Sequence, residues 1–484
     1  MPDLRRQALA GGKTGKTVSK KAQSKQGSRI GSPASSVAVS RNTSRAVSRQ
    51  GSDDDDDDAK SDITNFSSLS LDDLMSPDEA EDDIVVGDWR ARLQDCISTI
   101  LTRKGSSATT REESYEEYNR ILAAQYAAEE IESSKAELIG AFMRSVKTET
   151  TEKEVVLALK SFSLTCVTSP DDQAGSAHPI LIRLIEHSES KLSKAAGIHA
   201  LGSLLFFCDV DLGSDGDSYE FLRAIIESEG YNIGAGDCGI AVAAALEEFG
   251  LLLTLADDAS ELSRQAMEPL LEQLQSTDVR VQIAAGEAIA LLYEKSYTPV
   301  EADEADDGPS SDDSASDGAA ASHPRLLKRY EVHPRQDRVL AALTALTRLS
   351  TKTVAKKDRK ALHACFSDVL TTVDDPRRGP RFQTALNCRT GARFGSRMTV
   401  TVPGVGQVGI DRWWKLLRLR ALRRVLGGGL GRHWVENGVV AGVMGGEECL
   451  EDERVMRGFG EDRVKRRSVG RSRAVQRDYL GVEG

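Results

Sequence analysis

Apolar and polar residues alternate with the period of an α-helix along most of the central chain. Trp89, Leu93 and Ile97 begin this pattern, and a second helical region is predicted from about Thr110 to Val146. Further amphipathic stretches occupy Pro179–His187, Glu220–Ser228, Glu261–Leu274 and Ala361–Val373. Because apolar residues recur every three or four positions, the chain is predicted to be all-α.

A short motif recurs inside this helical region. It reads small, aliphatic, any, any, large apolar, and it occupies 158–162, 200–204, 245–249 and 288–292, so its first residues are 42, 45 and 43 positions apart. Ala196, Ala241 and Ala284 stand four positions before three of the copies, on the same helical face, where a small side chain permits close packing. A repeat of this length is typical of armadillo and HEAT solenoids, whose units must stack to bury a core.

The limits of the solenoid follow from breaks in the pattern. A disordered acidic loop is predicted over 299–324, and ALTRL at 345–349 is predicted to resume the repeat. The solenoid should therefore span 86–375 and end at Pro376. An irregular helical bundle is the alternative, because Ala-Leu pairs are common; the three consistent spacings favour the solenoid.

Charge is segregated along the chain, although the formal net charge is −12. Residues 1–50 carry eleven Lys or Arg and one acid, and the run Asp53–Asp58 follows them. Residues 1–85 are predicted to be a disordered tail, basic and then acidic. Ser44, Ser48 and Ser52 each follow an arginine by three positions, so they are candidate phosphorylation sites. A soluble Ser/Arg tail without regulation is the alternative.

The residues after Pro376 differ in composition from the solenoid. Met398–Val402 and Val405–Ile410 flank Pro403-Gly404 and predict a β-hairpin. Asp411 is predicted to cap a helix that runs to about Leu426. This segment, 376–426, forms a C-terminal unit with a basic, Trp-containing helix. The Gly/Arg-rich residues 427–484 lack periodicity and are predicted to have little order.

Basic and aromatic side chains meet in this C-terminal unit, which makes it the candidate binding site for nucleic acid or another partner. Arg and Lys can neutralise phosphates, and Trp can stack on bases. Tryptophans that anchor a capping helix on the solenoid are the alternative explanation. The candidate residues are Arg377, Arg378, Arg381, Arg412, Trp413, Trp414, Lys415, Arg418, Arg420 and Arg424.

Sequence patterns of catalysis and of metal or cofactor binding are missing. The chain lacks a phosphate-binding loop, an H-E-x-x-H motif and a zinc-type Cys/His spacing, so we expect no enzyme, cofactor, metal or small-molecule substrate. Seven scattered cysteines suit a reducing compartment, and neither a membrane span nor a secretory signal is apparent. We therefore expect a nuclear or cytoplasmic protein.

Several segments resemble the interferon-related developmental regulator family. The opening MPDLRRQAL and GKTVSKKA are similar to the N-terminus of fungal members, and SKAAGIHALGSLLFF (193–207) resembles the main-domain signature. RGPRF (378–382), GSRMTV (395–400) and IDRWWKLLRLRALRRVL (410–426) resemble the family's C-terminal portion, whereas 427–484 departs from it. The resemblance implies a non-catalytic armadillo-type protein that regulates transcription through protein partners, such as chromatin or transcription regulators. Ribosome association of some members implies the alternative of a ribosome- or RNA-associated factor.

Overall fold

The computed structural model describes residues 89–102, 105–208, 215–236, 238–299, 326–348, 356–386 and 393–445. The predicted tail over 1–85, with Ser44, Ser48 and Ser52, lies outside the described residues, as do 300–325 of the acidic insertion and the end of the chain after Gly445.

Most of the described chain is helical, as predicted. Up to the insertion the helices are α1 Trp89–Leu101, α2 Ala108–Ala124, α3 Ala128–Glu132, α4 Lys135–Thr148, α5 Glu152–Thr168, α6 His178–His187, α7 Lys191–Phe207, α8 Asp215–Glu227, α9 Gly239–Leu253, α10 Ser260–Gln273 and α11 Val279–Lys295. After it come α12 Gln336–Thr347, α13 Lys356–Asp374, α14 Trp413–Leu426, α15 Leu430–Glu436 and α16 Gly438–Val443. The helical region predicted over 110–146 is thus divided among α2, α3 and α4.

Six helices form an inner layer in which each helix packs against the next, in the order α2, α5, α7, α9, α11 and α13. The four motif copies lie on α5, α7, α9 and α11. Their large residues Phe162, Leu204, Phe249 and Leu292 are all buried in the core. The predicted solenoid of equivalent stacked helices is therefore confirmed.

An outer layer completes each repeat, because one outer helix packs against the inner helix that follows it. The pairs are α4 with α5, α6 with α7, α8 with α9, α10 with α11 and α12 with α13. The prediction that ALTRL resumes the repeat is wrong: Ala345–Arg348 belong to the end of the outer helix α12. The next inner helix is α13, where Phe366 packs against Gly286 of α11. Sequence spacing misled here because an Ala-Leu pair suits an outer helix equally well.

Short side chains start the inner helices and set where they begin. Thr151 accepts the amide N–H of Glu154, Ser190 that of Ser193, and Asp278 that of Arg280. Each cap satisfies an amide that has no partner in the first turn, worth about 1 kcal/mol.

Strands occur only as short antiparallel pairs in the described part of the chain. They are β1 Tyr297–Pro299 with β2 Leu326–Lys328, β3 Phe382–Leu386 with β4 Arg393–Ser396, and β5 Thr399–Val402 with β6 Gly406–Gly409. The β5–β6 pair confirms the predicted hairpin. The β3–β4 pair was missed, because its residues show no clean alternation of apolar and polar positions.

Two predictions about the C-terminal unit are wrong. Asp411 does not cap α14: the N-cap residue is Arg412, and Asp411 instead pairs with Lys415 at 2.8 Å. The expectation of little order after Gly427 fails for 427–445, which form a 3₁₀ turn, α15 and α16. The glycines serve close packing, since Gly429 lies against the Ala123 carbonyl and Gly431 against that of Pro403, with no room for a Cβ.

Candidate functional site

Most of the candidate residues lie in a C-terminal segment that crosses the solenoid. We call α14, the 3₁₀ turn Gly427–Gly429, α15 and α16 the C-terminal strap. Helix α14 packs on α11, α9, α5 and α2, while α15 packs on α2 and α16 on α5. The strap therefore runs back along the inner layer from its last repeats to its first. Every residue of α14 is buried or half-buried.

The first turn of α14 is held by a carboxylate from another helix. Glu294, near the end of α11, accepts the backbone N–H of Trp413 at 2.8 Å and that of Trp414 at 3.2 Å. Glu294 thus accepts the amide groups at the start of α14 that Asp411 was predicted to cap. Its charge faces the positive end of the helix dipole. Glu294 is 7% exposed, and burial raises its pKa to about 7.

The two tryptophans take different roles at this end of the strap. Trp413 is 1% exposed, and its Nε1 donates to Thr372 Oγ1 of α13 at 2.8 Å. Trp414 is half-buried, with the Arg418 guanidinium 4.9 Å and the Lys415 ammonium 5.6 Å from its ring. Both distances permit cation–π attraction. Trp413 therefore anchors the strap, and Trp414 lies under two of its cations.

Further along α14, arginines meet buried acids of the inner helices. Arg420 pairs with Glu287 of α11, and Arg424 pairs with Glu247 at 2.8 Å and with Glu248 of α9. The side chains of Glu287 and Glu248 are 5% and 0% exposed. Each carboxylate would be costly to bury without its arginine, so the strap and the solenoid complete each other electrostatically.

Glu248 also forms a hydrogen bond with a side chain of α7. The Nδ1 of His199 lies 2.7 Å from Glu248 Oε1. Burial, followed by repulsion from Arg424, lowers the pKa of His199 to about 3, so the ring is neutral near pH 7. Burial raises the pKa of Glu248 to about 7, against the pull of Arg424. The cluster joins α7, α9 and the strap.

The strap also satisfies backbone carbonyls at the C-terminal ends of inner helices. Arg418 Nη2 donates to the Thr254 carbonyl at 3.1 Å, directly after α9. His433 Nε2 lies 2.8 Å from the Leu122 carbonyl of α2, and Asn437 Nδ2 donates to the Val167 carbonyl of α5 at 2.9 Å. Helix C-terminal ends carry partial negative charge and carbonyls without intrahelical partners. A basic segment is the natural complement of such an edge.

The remaining candidate arginines precede the strap and have local acidic neighbours. Arg377 pairs with Asp375 at 2.9 Å, Arg378 pairs with Asp374 and Asp375 at 3.5 and 3.2 Å, and Arg381 lies 3.5 Å from Asp368. Arg377 and Arg381 keep 58% and 42% of their side chains exposed. Arg412 is half-buried beside Glu294. The structure thus gathers the candidates from Trp413 to Arg424 in the strap, with Arg412 directly before it, and leaves Arg377 and Arg381 at the surface.

The acids Glu247, Glu248, Glu287 and Glu294 were missed by sequence reasoning. They interrupt or follow apolar stretches of the inner helices, and acids inside a buried repeat helix are the signal that could have revealed them. Their positions opposite Arg420 and Arg424 could not be read from the sequence, because the partners are 133 and 176 residues apart. Nucleic-acid binding by the strap arginines stays a prediction.

Half-exposed residues on the inner helices form a surface that includes two residues of the Arg424 cluster, Glu247 and His199. Leu157 and His199 directly precede their motif copies, and Lys160 and Glu247 occupy the third motif position. Ile240 lies two turns before Glu247 on α9, on the same side of the helix. We call these five residues the inner face.

Acidification is expected to stabilise the attachment of α14 through Glu294. Because the pKa of Glu294 rises from an ordinary value near 4.5 to about 7 on folding, its contribution is fully present below pH 4.5 and is lost as the pH passes 7. The difference between the unfolding free energies of the parent protein and of Glu294→Gln should therefore change by about 2 kcal/mol between pH 5 and 8. Urea titrations at four pH values measure this; a constant difference contradicts it.

Metal-binding groups and membrane spans were sought in the part of the chain that the structure describes. There, His, Cys, Asp and Glu side chains form no group of three that could hold a metal ion. Among the same residues, none of the helices combines the length and apolarity needed to cross a bilayer.

Comparison with known proteins places the fold in a family. The model of the interferon-related developmental regulator family matches residues 59–374. An uncharacterized protein of Schizosaccharomyces pombe is 27% identical over 453 residues, covering 87% of this chain and 94% of the relative. Mouse interferon-related developmental regulator 2 is 23% identical over 405 residues, covering 80% of this chain and 79% of the relative. The chain belongs to the interferon-related developmental regulator family.

Proposed function

We propose that this protein is a non-enzymatic scaffold that binds protein partners on the inner face of its solenoid and acts in the regulation of transcription. The observation that carries the proposal is the inner face itself. Leu157 and Ile240 stay half-exposed on α5 and α9, although Ala158 and Ala241 directly after them are buried. Half-exposed apolar residues on the inner helices suit a partner helix or an extended peptide, with Lys160 on α5 to set specificity. The name of the mouse relative, a developmental regulator, is consistent with a regulatory role.

The proposal is tested by affinity purification of the tagged full chain with and without ribonuclease. With the Leu157→Glu, Ile240→Glu double variant, the amount of partner protein that stays bound after ribonuclease treatment should fall about tenfold or more. Ile182→Glu is the matched control, because Ile182 is a half-buried apolar residue of the outer helix α6. Thermal unfolding checks that all variants fold. If the inner-face variant and the control recover the same ribonuclease-resistant partners, the proposal is wrong.

An RNA- or ribosome-associated factor is the second candidate. Residues 376–410 contain six arginines and not one Asp or Glu, and they form the β3–β4 and β5–β6 pairs beside the solenoid. Together with the basic arm at 1–50, they could neutralise phosphates. Since Arg420 and Arg424 face acids of the solenoid, the informative variants are Arg381→Ala and Arg397→Ala, which replace exposed arginines. RNA binding across a salt series should weaken in these variants, with a shallower salt slope; an unchanged slope argues against this candidate.

A further inference from the structure

Two cations lie close together at the C-terminal end of α9. Arg418 of the strap donates to the Thr254 carbonyl at 3.1 Å, and Lys295, the last residue of α11, donates to the Ala256 carbonyl. Leu255, which stands between these two carbonyls in the sequence, is 46% exposed. Burial, followed by repulsion from Arg418, lowers the pKa of Lys295, as expected for two neighbouring positive charges. We call Arg418, Lys295 and Leu255 the cationic patch.

Arg418 is bound in this patch by uncharged acceptors. Its Nε donates to Thr254 Oγ1 at 2.9 Å, its Nη2 to the carbonyl of the same residue, and its Nη1 to the Val443 carbonyl at 3.0 Å. Burial lowers the pKa of Arg418, and no carboxylate among the described residues pairs with it. Within this part of the chain, two of the five N–H groups of a half-buried guanidinium therefore remain for a further acceptor, and a carboxylate would bind them most strongly.

The acids around the patch do not neutralise it. Asp411 already pairs with a lysine of α14 at 2.8 Å, and Glu294 accepts the first amides of that helix. Asp257 and Glu294 attract Lys295, but each attraction is smaller than the repulsion from Arg418. The patch therefore keeps an excess of positive charge beside an exposed leucine, which suits an acidic segment that also carries an apolar residue.

The chain leaves the strap beside this patch. Val443, whose carbonyl binds the patch, is followed two residues later by Gly445, where a Cβ would lie 3.5 Å from the Trp414 indole. Residues 447–453 read EECLEDE, with five acids and no base, and lie outside the described residues. Because a chain spans at most about 3.5 Å per residue, Glu447 can be no farther than about 14 Å from Val443. The acids therefore begin within reach of the patch.

We propose that the segment 447–453 docks on the cationic patch of its own chain. Its carboxylates pair with the two cations of the patch, while Leu450 packs on Leu255. Attachment through the strap gives the segment an effective concentration on the order of millimolar, so each contact can be weak while the segment still occupies the patch. The patch is thus a docking surface for acidic, leucine-containing segments that is occupied in cis. It lies at the C-terminal end of α9, whereas the partner surface proposed above is the inner face, so either proposal can fail alone.

Carbodiimide cross-linking of the full-length chain tests this contact, because the reagent joins an amine to a carboxylate that touches it. The linked peptides are then mapped by mass spectrometry. We expect an amide between Lys295 Nζ and a carboxylate of 447–453, seen as a peptide pair that is one water lighter than the sum of its parts. The exposed pair Lys153–Glu116, whose charged atoms are 2.6 Å apart, is the internal standard for the reaction.

Two variants and a synthetic peptide sharpen the assignment. Replacement of the five acids of 447–453 with their amides should abolish the Lys295 link, whereas Glu461→Gln with Asp462→Asn, which neutralises acids farther along the chain, should keep it. A peptide with the sequence of 446–453, added well below millimolar concentration, should label Lys295 about tenfold more in the five-amide variant than in the parent. The substitutions lie outside the described residues, and thermal unfolding verifies that both variants keep the fold.

Three outcomes overturn the proposal. In the first, the Lys153–Glu116 link forms, but Lys295 is linked only to acids of the solenoid or to nothing. In the second, a mixture of isotope-labelled and unlabelled chains gives linked pairs of mixed label, so that the segment docks on a second copy. In the third, the peptide labels Lys295 equally in the parent and in the five-amide variant, which would mean that the patch is open to outside acidic segments and is not occupied in cis.

Discussion

Replacing Trp413 with alanine is expected to lower the free energy of unfolding by about 4 kcal/mol, because a buried indole leaves a large cavity. Trp413 is 1% exposed and is among the largest fully buried side chains of the described chain. Its loss also leaves Thr372 Oγ1 without the donor that binds it at 2.8 Å. Urea unfolding followed by circular dichroism measures the change.

Trp414→Ala is the matched control for this prediction. Trp414 is half-buried on the same turn of α14, so its replacement should cost clearly less. Trp413→Phe should recover most of the lost stability, since the phenyl ring refills much of the cavity. If the two alanine variants were equally stable, Trp413 would not be the anchor of the strap.

The solenoid could be predicted from sequence because its determinants are local and repeated. The motif copies at 158–162, 200–204, 245–249 and 288–292 set the spacing of α5, α7, α9 and α11, and stacking buries their large residues. The last repeat was placed incorrectly because ALTRL matches the motif, while in α13 the pair Ala361-Leu362 is followed by Phe366 one position later than the motif requires.

The strap was beyond prediction because its determinants are non-local. The sequence showed a basic helix with two tryptophans, and an aromatic, basic surface was a reasonable expectation. Its partners are the carboxylate of Glu294, which replaces the predicted cap Asp411, and the acids opposite Arg420 and Arg424. The sequence does not show whether an arginine on a helix surface contacts phosphate, solvent or a buried carboxylate that is 176 residues away.

The strap changes how the two functional candidates are weighed. Helix α14 has no residue more than half-exposed, and its arginines neutralise acids of the inner helices. Binding of a phosphate by Arg424 would therefore have to replace its bonds to Glu247 and Glu248, leaving two carboxylates near or inside the core without a cation. Docking on Leu157 and Ile240 of the inner face carries no such cost, because these apolar side chains hold no ion pair.

Replacing Arg424 with methionine is expected to cost about 3 kcal/mol of unfolding free energy, because Glu248 would remain buried without its cation. The Arg424 side chain is 14% exposed and that of Glu248 is 0% exposed, so solvent cannot compensate for the loss. Adding Glu248→Gln removes the stranded charge and should restore part of the stability. A double-mutant cycle of the four proteins by urea unfolding measures the coupling.

Arg423→Met is the control that separates an internal role from a role in RNA binding. It removes the same charge one position earlier, from a half-buried site on the same helix. If Arg424 acts within the fold, Arg424→Met loses stability with a coupling to Glu248, and RNA binding falls only as the variant unfolds. If Arg424→Met were as stable as Arg423→Met but bound RNA more weakly, the arginine would contact phosphate, and the electrostatic attachment of the strap described above would be wrong.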